Sequence, residues 1–148
     1  MTKPNTVLVD GDILLYISHD PDEPAEYVLH SVKLILENIK EKSKCDNMRV
    51  FLSSPTNFRY DIDPEYKANR KDKEKPPHYL ATKNYLKKYY DAEVAEEGYE
   101  ADDTIGKIML AQGDNVMVAS LDKDFLTIKG WHLKWRHHNA DNPFYVTA

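Results

Sequence analysis

Gly98-Tyr99-Glu100-Ala101-Asp102-Asp103-Thr104-Ile105-Gly106 reads as the start of a helix opened by a knot of carboxylates. Glu100 and Asp103 stand three apart and share one helix face, with Asp102 about 100° round from Asp103. The positive end of the helix dipole favours acids there, but their mutual repulsion costs energy unless a cation sits between them. Two readings follow. One is a solvated, dipole-matched first turn. The other is a hard-metal site, because oxygen ligands with no His or Cys nearby suit Mg²⁺ or Mn²⁺ rather than zinc. The choice depends on whether other acids fall at strand ends that converge on this helix.

Working outward, two such places exist. Thr6-Val7-Leu8-Val9 is a β-branched run that reads as a buried parallel strand ending in Asp10-Gly11-Asp12. Val116-Met117-Val118-Ala119 is another, followed by Ser120-Leu121-Asp122-Lys123-Asp124-Phe125. Residues 25–42 carry Val28, Leu29, Val32, Leu36 and Ile39 at helical spacing. Residues 49–52 form a second strand that ends at Ser53-Ser54-Pro55 rather than at an acid. Helix-prone pieces at 66–71 and 82–90 are separated by Pro76-Pro77, and residues 92–95 make a short strand feeding a helix over about 99–111. The tail offers two edge strands, 131–135 and 144–147, around a polar turn in which His137 and His138 are expected to be exposed.

Strands alternating with helices predict an α/β fold, a three-layer α/β/α sandwich around a mostly parallel sheet. Right-handed crossovers would bring Asp10, the Glu100 helix start and Asp122/Asp124 to the same edge, where ligands bind in such sheets. That convergence favours the metal reading.

The chain has 148 residues and 41% hydrophobic content, enough for one domain with a real core. A lone cysteine, Cys45, excludes an internal disulfide framework, so a cytoplasmic setting is expected, with Cys45 in packing or at the surface. The start lacks an apolar signal core and no run approaches a membrane span, so no membrane partner is expected. Net charge is −5, yet residues 66–90 hold eight Lys or Arg against two acids, which leaves the rest at −11. A basic strip beside an acidic pocket suits phosphodiester cleavage, with cations for the reacting phosphate and Lys/Arg for the backbone. Within the strip Tyr79, Tyr85, Tyr89 and Tyr90 interleave with Lys83, Lys87 and Lys88. Such tyrosines can stack on bases, but at helical spacing packing onto a core is the commoner role.

Four segments, in order, resemble the 5′-nucleases: flap endonucleases, the 5′-exonuclease domains of bacterial DNA polymerases, and bacteriophage 5′–3′ exonucleases. They are Val9-Asp10-Gly11-Asp12, Tyr66-Lys67-Ala68-Asn69-Arg70, Gly98-Tyr99-Glu100-Ala101-Asp102-Asp103 and Ser120-Leu121-Asp122-Lys123-Asp124-Phe125. Asn57-Phe58-Arg59 and Asp63-Pro64-Glu65-Tyr66 look most like the phage branch. The resemblance implies a PIN-like catalytic domain over 1–148 with a basic helical arch at about 60–90. It implies that Asp10, Glu100, Asp102, Asp103, Asp122 and Asp124 hold Mg²⁺ or Mn²⁺, directly or through waters, with Glu100 and Asp122 central to catalysis. It further implies that Lys67 and Arg70 address the scissile phosphate. The expected nucleic-acid surface is Tyr66, Lys67, Arg70, Lys71, Lys83 and Lys87.

The chain departs from the family twice. The acid usual at the end of the second strand is replaced by Ser53 or Ser54, which predicts one firmly held ion and a weak second. The helix-hairpin-helix region that usually follows is expected to be absent, or supplied by another polypeptide. The expected function is a metal-dependent 5′–3′ exonuclease or flap endonuclease acting on DNA 5′ ends, flaps or RNA primers, in a bacterial or phage-infected cell. RNA or an RNA–DNA hybrid is the alternative substrate. The competing functions are a PIN-like ribonuclease and a catalytically weak domain that binds nucleic acid or a partner.

Overall fold

In β1 (Thr6–Asp10) every residue after Thr6 is buried, so both faces of the strand are covered and the run needs no polar alternation. The structure is a computed structural model that describes residues 4–18, 20–54, 77–120, 128–136, 139–140 and 142–147. After β1 a 3₁₀ turn (Gly11–Tyr16) leads to α1 (Ala25–Ser43), β2 (Asn47–Leu52), α2 (Tyr79–Tyr90), β3 (Glu93–Val94) and α3 (Ala101–Gln112). A second 3₁₀ turn (Gly113–Asn115) precedes β4 (Val116–Ala119), β5 (Gly130–Leu133), β6 (Trp135–Arg136), β7 (Asn139–Ala140) and β8 (Phe144–Val146).

The main sheet runs β3-β2-β1-β4-β5-β8, parallel throughout except for the β5–β8 pair. Side-chain alternation along the central strands divides the core in two. Val7, Val9, Val50, Leu52, Met117 and Ala119 face Val32, Ile35, Leu36 and Ile39 of α1 and Leu86 of α2. Leu8, Phe51, Val116 and Val118 face Ala101, Ile105 and Met109 of α3. Helices therefore cover both faces, and the expected three-layer α/β/α sandwich is the observed one.

Several details differ from the sequence reading. The tail segment expected as an edge strand over 131–135 pairs in parallel with β4 as β5, through Met117↔Trp131 and Ala119↔Leu133, and of the two tail strands β8 alone lies at an edge. The reason is burial: Gly130, His132 and Leu133 are all covered, which an edge strand does not require. Strand β5 stops at Leu133, and Trp135–Arg136 turns away to pair with Asn139–Ala140. The second helix begins at Tyr79, three residues before its expected start, and the acidic helix begins at Ala101 with Glu100 as its N-cap. Of the segment expected as an arch, the described part is α2, which packs on the core through Leu86, Tyr79, Tyr85 and Tyr90. Residues 55–76 lie outside the described residues, as do His137 and His138. No described helix is long and apolar enough to cross a membrane.

Candidate active site at the carboxyl edge of the sheet

Asp10 closes β1 and is 8% exposed. Its Oδ1 accepts the Asp12 N–H at 3.1 Å, capping the 3₁₀ turn that follows. Between them Gly11 has no room for a side chain, since a Cβ there would lie 2.8 Å from both the Phe51 carbonyl oxygen and Val50 Cγ1. Glycine thus lets the chain cross close over the end of β2, which delivers Asp12 to Ser53. Asp12 Oδ1 accepts the Ser53 N–H at 3.0 Å and Oδ2 accepts the Ser53 hydroxyl.

Ser53 also reaches the other way. Its Oγ accepts the N–H of Ala101, the first residue of α3, at 2.9 Å. Backbone bonds hold the approach: Ala95 N–H to Leu52 O at 2.8 Å and Ser54 N–H to Tyr99 O at 3.0 Å. Residues 95–101 consequently run beside the end of β2, and the first turn of α3 arrives next to Asp12. Burial pushes the Asp12 carboxyl up, against the two hydrogen bonds from Ser53. Glu100's charge adds to the rise and the Lys83 ammonium opposes it, so all three groups share one electrostatic neighbourhood.

At the head of α3, Asp103 Oδ2 accepts the Glu100 N–H at 2.9 Å in a capping box built from two acids. The box turns two expected ligands into helix caps as well, which fixes their backbone positions before any ion arrives. Asp102 is half-buried and its Oδ1 is buried. On α2, Lys83 is half-buried and Lys87, one turn on, is exposed. Tyr79, Tyr85 and Tyr90 behave as packing groups, with Tyr79 edge-on to Tyr16 at 5.7 Å and Tyr85 against Tyr90 at 5.8 Å, whereas Tyr89, 5.0 Å from Tyr85, is exposed.

Of the expected site residues, the structure therefore sets Asp10 at the carboxyl end of β1, and Glu100, Asp102 and Asp103 at the start of α3 beside the end of β2. Asp122, Asp124, Tyr66, Lys67, Arg70 and Lys71 lie outside the described residues. Among the described residues no three acids, His or Cys are gathered closely enough to hold an ion. The chemistry of the donor set nevertheless fits a hard divalent cation, being all carboxylate oxygen. The softer candidates sit elsewhere: Cys45 is buried against Pro4 O at the opposite edge, and His132 Nε2 donates to Ile128 O at 2.8 Å within β5's surroundings. Sequence reasoning assigned no role to Asp12 or Ser53. The available signal was the absent acid after β2, next to a second acid in Asp-Gly-Asp.

Comparison with known proteins bears on the whole arrangement. Residues 5–142 match the model of the 5′–3′ exonuclease N-terminal resolvase-like domain. A 5′–3′ exonuclease of Buchnera aphidicola (subspecies Schizaphis graminum) is 28% identical over 85% of this chain and 49% of its own length. Two solved structures from bacteriophage T5 share the fold at 21% identity. One is its 5′-exonuclease with zinc ions bound, with a TM-score of 0.60 over 93% of this chain and 58% of that one. The other is its flap endonuclease in a complex with DNA and metal ions, with a TM-score of 0.58 over 93% and 57%. The chain spans about half the length of the curated relative it matches. With nearly its whole length matched by that one model, the chain belongs to the 5′–3′ exonuclease family through its N-terminal resolvase-like domain.

Proposed function

We propose that this chain is the catalytic portion of a divalent-metal-dependent 5′-nuclease that hydrolyses phosphodiester bonds at DNA 5′ ends or flaps. The observation that carries the reading is the link Asp12–Ser53–Ala101, which joins the acidic end of β1 to the acidic start of α3. Asp10, Glu100, Asp102 and Asp103 would hold the ions together with Asp122 and Asp124, and Mg²⁺ or Mn²⁺ is the proposed identity. When bound, such ions activate water and neutralise charge developing on phosphorus. The chain's own contribution is placement. The capping box holds Glu100 and Asp103, Ser53 holds Asp12, and Lys83 adds a positive charge at the rim. Lys87, exposed on the same helix face one turn away, is placed to meet a backbone phosphate as a point charge. Lys67 and Arg70 would add phosphate contacts over the acids. The bonding of Glu100 and Asp103 to the helix start means that these two acids need not order themselves at the moment of reaction.

The test is cleavage of 5′-labelled flap, duplex and single-stranded RNA substrates with Mg²⁺, with Mn²⁺ and with EDTA. The proposal expects DNA cleavage that EDTA abolishes and that Glu100→Gln reduces by roughly 100-fold or more, in the range seen when a transition-state stabiliser is lost. Cleavage confined to RNA would favour the ribonuclease reading. Binding of DNA without cleavage under any metal would overturn the enzymatic one.

A further inference from the structure

β1 ends in an acid, Asp10, whereas β2 is followed by Ser53-Ser54, and the geometry points to a carboxylate that reaches that end from outside the strand. Asp12 comes from the neighbouring strand end yet bonds Ser53 through both its carboxylate oxygens, to the N–H at 3.0 Å and to the hydroxyl. In β1–β2 register Asp10 pairs with Phe51, so Asp12 and Ser53 lie two residues beyond the last pair on each side. The carboxylate thus sits at the end of β2 without belonging to it. We propose that Asp12 supplies the negative charge that β2 lacks, toward the divalent cation of the site, and that Ser53 is the positioning residue that aims it.

Two observations make this more than a surface hydrogen bond. Gly11 is forced by the close approach to Phe51 O, and the consequence of that approach is to bring Asp12 to Ser53. Ser53 Oγ is committed on both sides, donating to Asp12 and accepting from Ala101 N–H at 2.9 Å, so the hydroxyl cannot rotate away without breaking one bond. The inference rests on the metal-dependent reading above and adds to it one residue and its support.

The experiment measures Mn²⁺ affinity of the full chain by calorimetry or by loss of the free-ion electron spin resonance signal. Cleavage of the 5′ flap substrate is followed in parallel. Asp12→Asn keeps the size and an oxygen to accept the Ser53 N–H, gives up acceptance of the Ser53 hydroxyl, and should weaken Mn²⁺ by roughly 10-fold, in line with loss of a supporting group at a metal site. Ser53→Ala should weaken it less, by a few-fold, because the Ser53 N–H still holds Asp12. Combining Asp12→Asn with Ser53→Asp returns a carboxylate to β2 and should recover most of the affinity. A merely structural Asp12 would not respond to that return. Unchanged Mn²⁺ affinity in a folded Asp12→Asn protein that still cleaves would overturn this inference and leave the nuclease reading standing. If Asp12→Asn fails to fold, Ser53→Ala with unchanged Mn²⁺ affinity overturns the positioning role. A wild-type chain that neither binds Mn²⁺ nor cleaves would sink both.

Discussion

Gly11 shows how much of the site hangs on single atoms. A methyl group at this position would meet the Phe51 carbonyl oxygen and Val50 Cγ1 at 2.8 Å, and the carbonyl belongs to a central strand that cannot give way cheaply. Gly11→Ala should therefore cost about 1–3 kcal/mol in urea unfolding, the range for overpacking, and should weaken Mn²⁺ binding because Asp12 is pushed from Ser53. Wild-type stability would show that the strand end yields. His132 gives a second residue-scale expectation, this time in pH. Burial lowers its affinity for a proton below the ordinary value of 6.5, and the carbonyl of Ile128 opposes this only in part. The unfolded chain then binds the proton more tightly, so stability is fully present above about pH 6.5 and declines as pH falls below it. His132→Gln should flatten that acid-side decline in melting temperature, and an unchanged slope would assign it to other groups. The placement of Asp10 at a strand end and of Glu100, Asp102 and Asp103 at a helix start was legible in the sequence, because the apolar runs beside them mark where those elements stop and begin. The Asp12–Ser53 bond was not, because it exists only once β2 is known to lie beside β1 in the observed register.

Helix α3 carries both a packing face and the acidic head. Ala101, Ile105 and Met109 are buried against Leu8, Phe51, Val116 and Val118, so the helix is held by its apolar stripe rather than by propensity. Gly106 lies in its interior, where a Cβ would come no nearer than 3.9 Å to Ile128 Cδ1, an ordinary contact. Gly106→Ala should accordingly stabilise the protein by about 0.5–1 kcal/mol through the lower chain entropy of alanine when unfolded, without displacing Glu100 or Asp103. A loss of stability in thermal melts would mean that the space at Gly106 is needed. Central strands and long helices could be read from composition alone, since runs such as residues 116–119 are buried on both faces. β3 was also found, but its place is fixed by tertiary partners: Arg49 forks onto the Glu93 carboxylate at 2.8 and 2.7 Å across the β2–β3 pair. The pairing of β5 was missed for the same reason, because strand order is decided by which faces remain to be covered and the local sequence does not state it.

At the scale of the whole molecule, one sheet separates two apolar layers, and the two layers share no side chains. Ile39 packs with α1 on one face and Ile105 with α3 on the other, and both are fully buried. Each should respond to loss of one methyl in the same way, since transfer and cavity terms depend on local packing: Ile39→Val and Ile105→Val should each cost about 0.5–1.5 kcal/mol. The two layers nevertheless meet through the backbone of β1, β2 and β4, whose ladders contribute residues alternately to both. If those ladders make the sheet a single cooperative unit, neither layer can melt alone, and circular dichroism and tryptophan fluorescence should report one coincident transition in both variants. The double variant then tests the separation itself. With no shared partners and a sheet between them, the two costs should add to within about 0.5 kcal/mol. A larger coupling would show strain passing through the sheet, and it would mean that packing behind α1 can shift the end of β2, where Ser53 holds Asp12. Additive costs with a single transition would instead place the acidic edge on a frame that neither layer deforms separately, so that substitutions behind the sheet alter stability while leaving metal affinity unchanged.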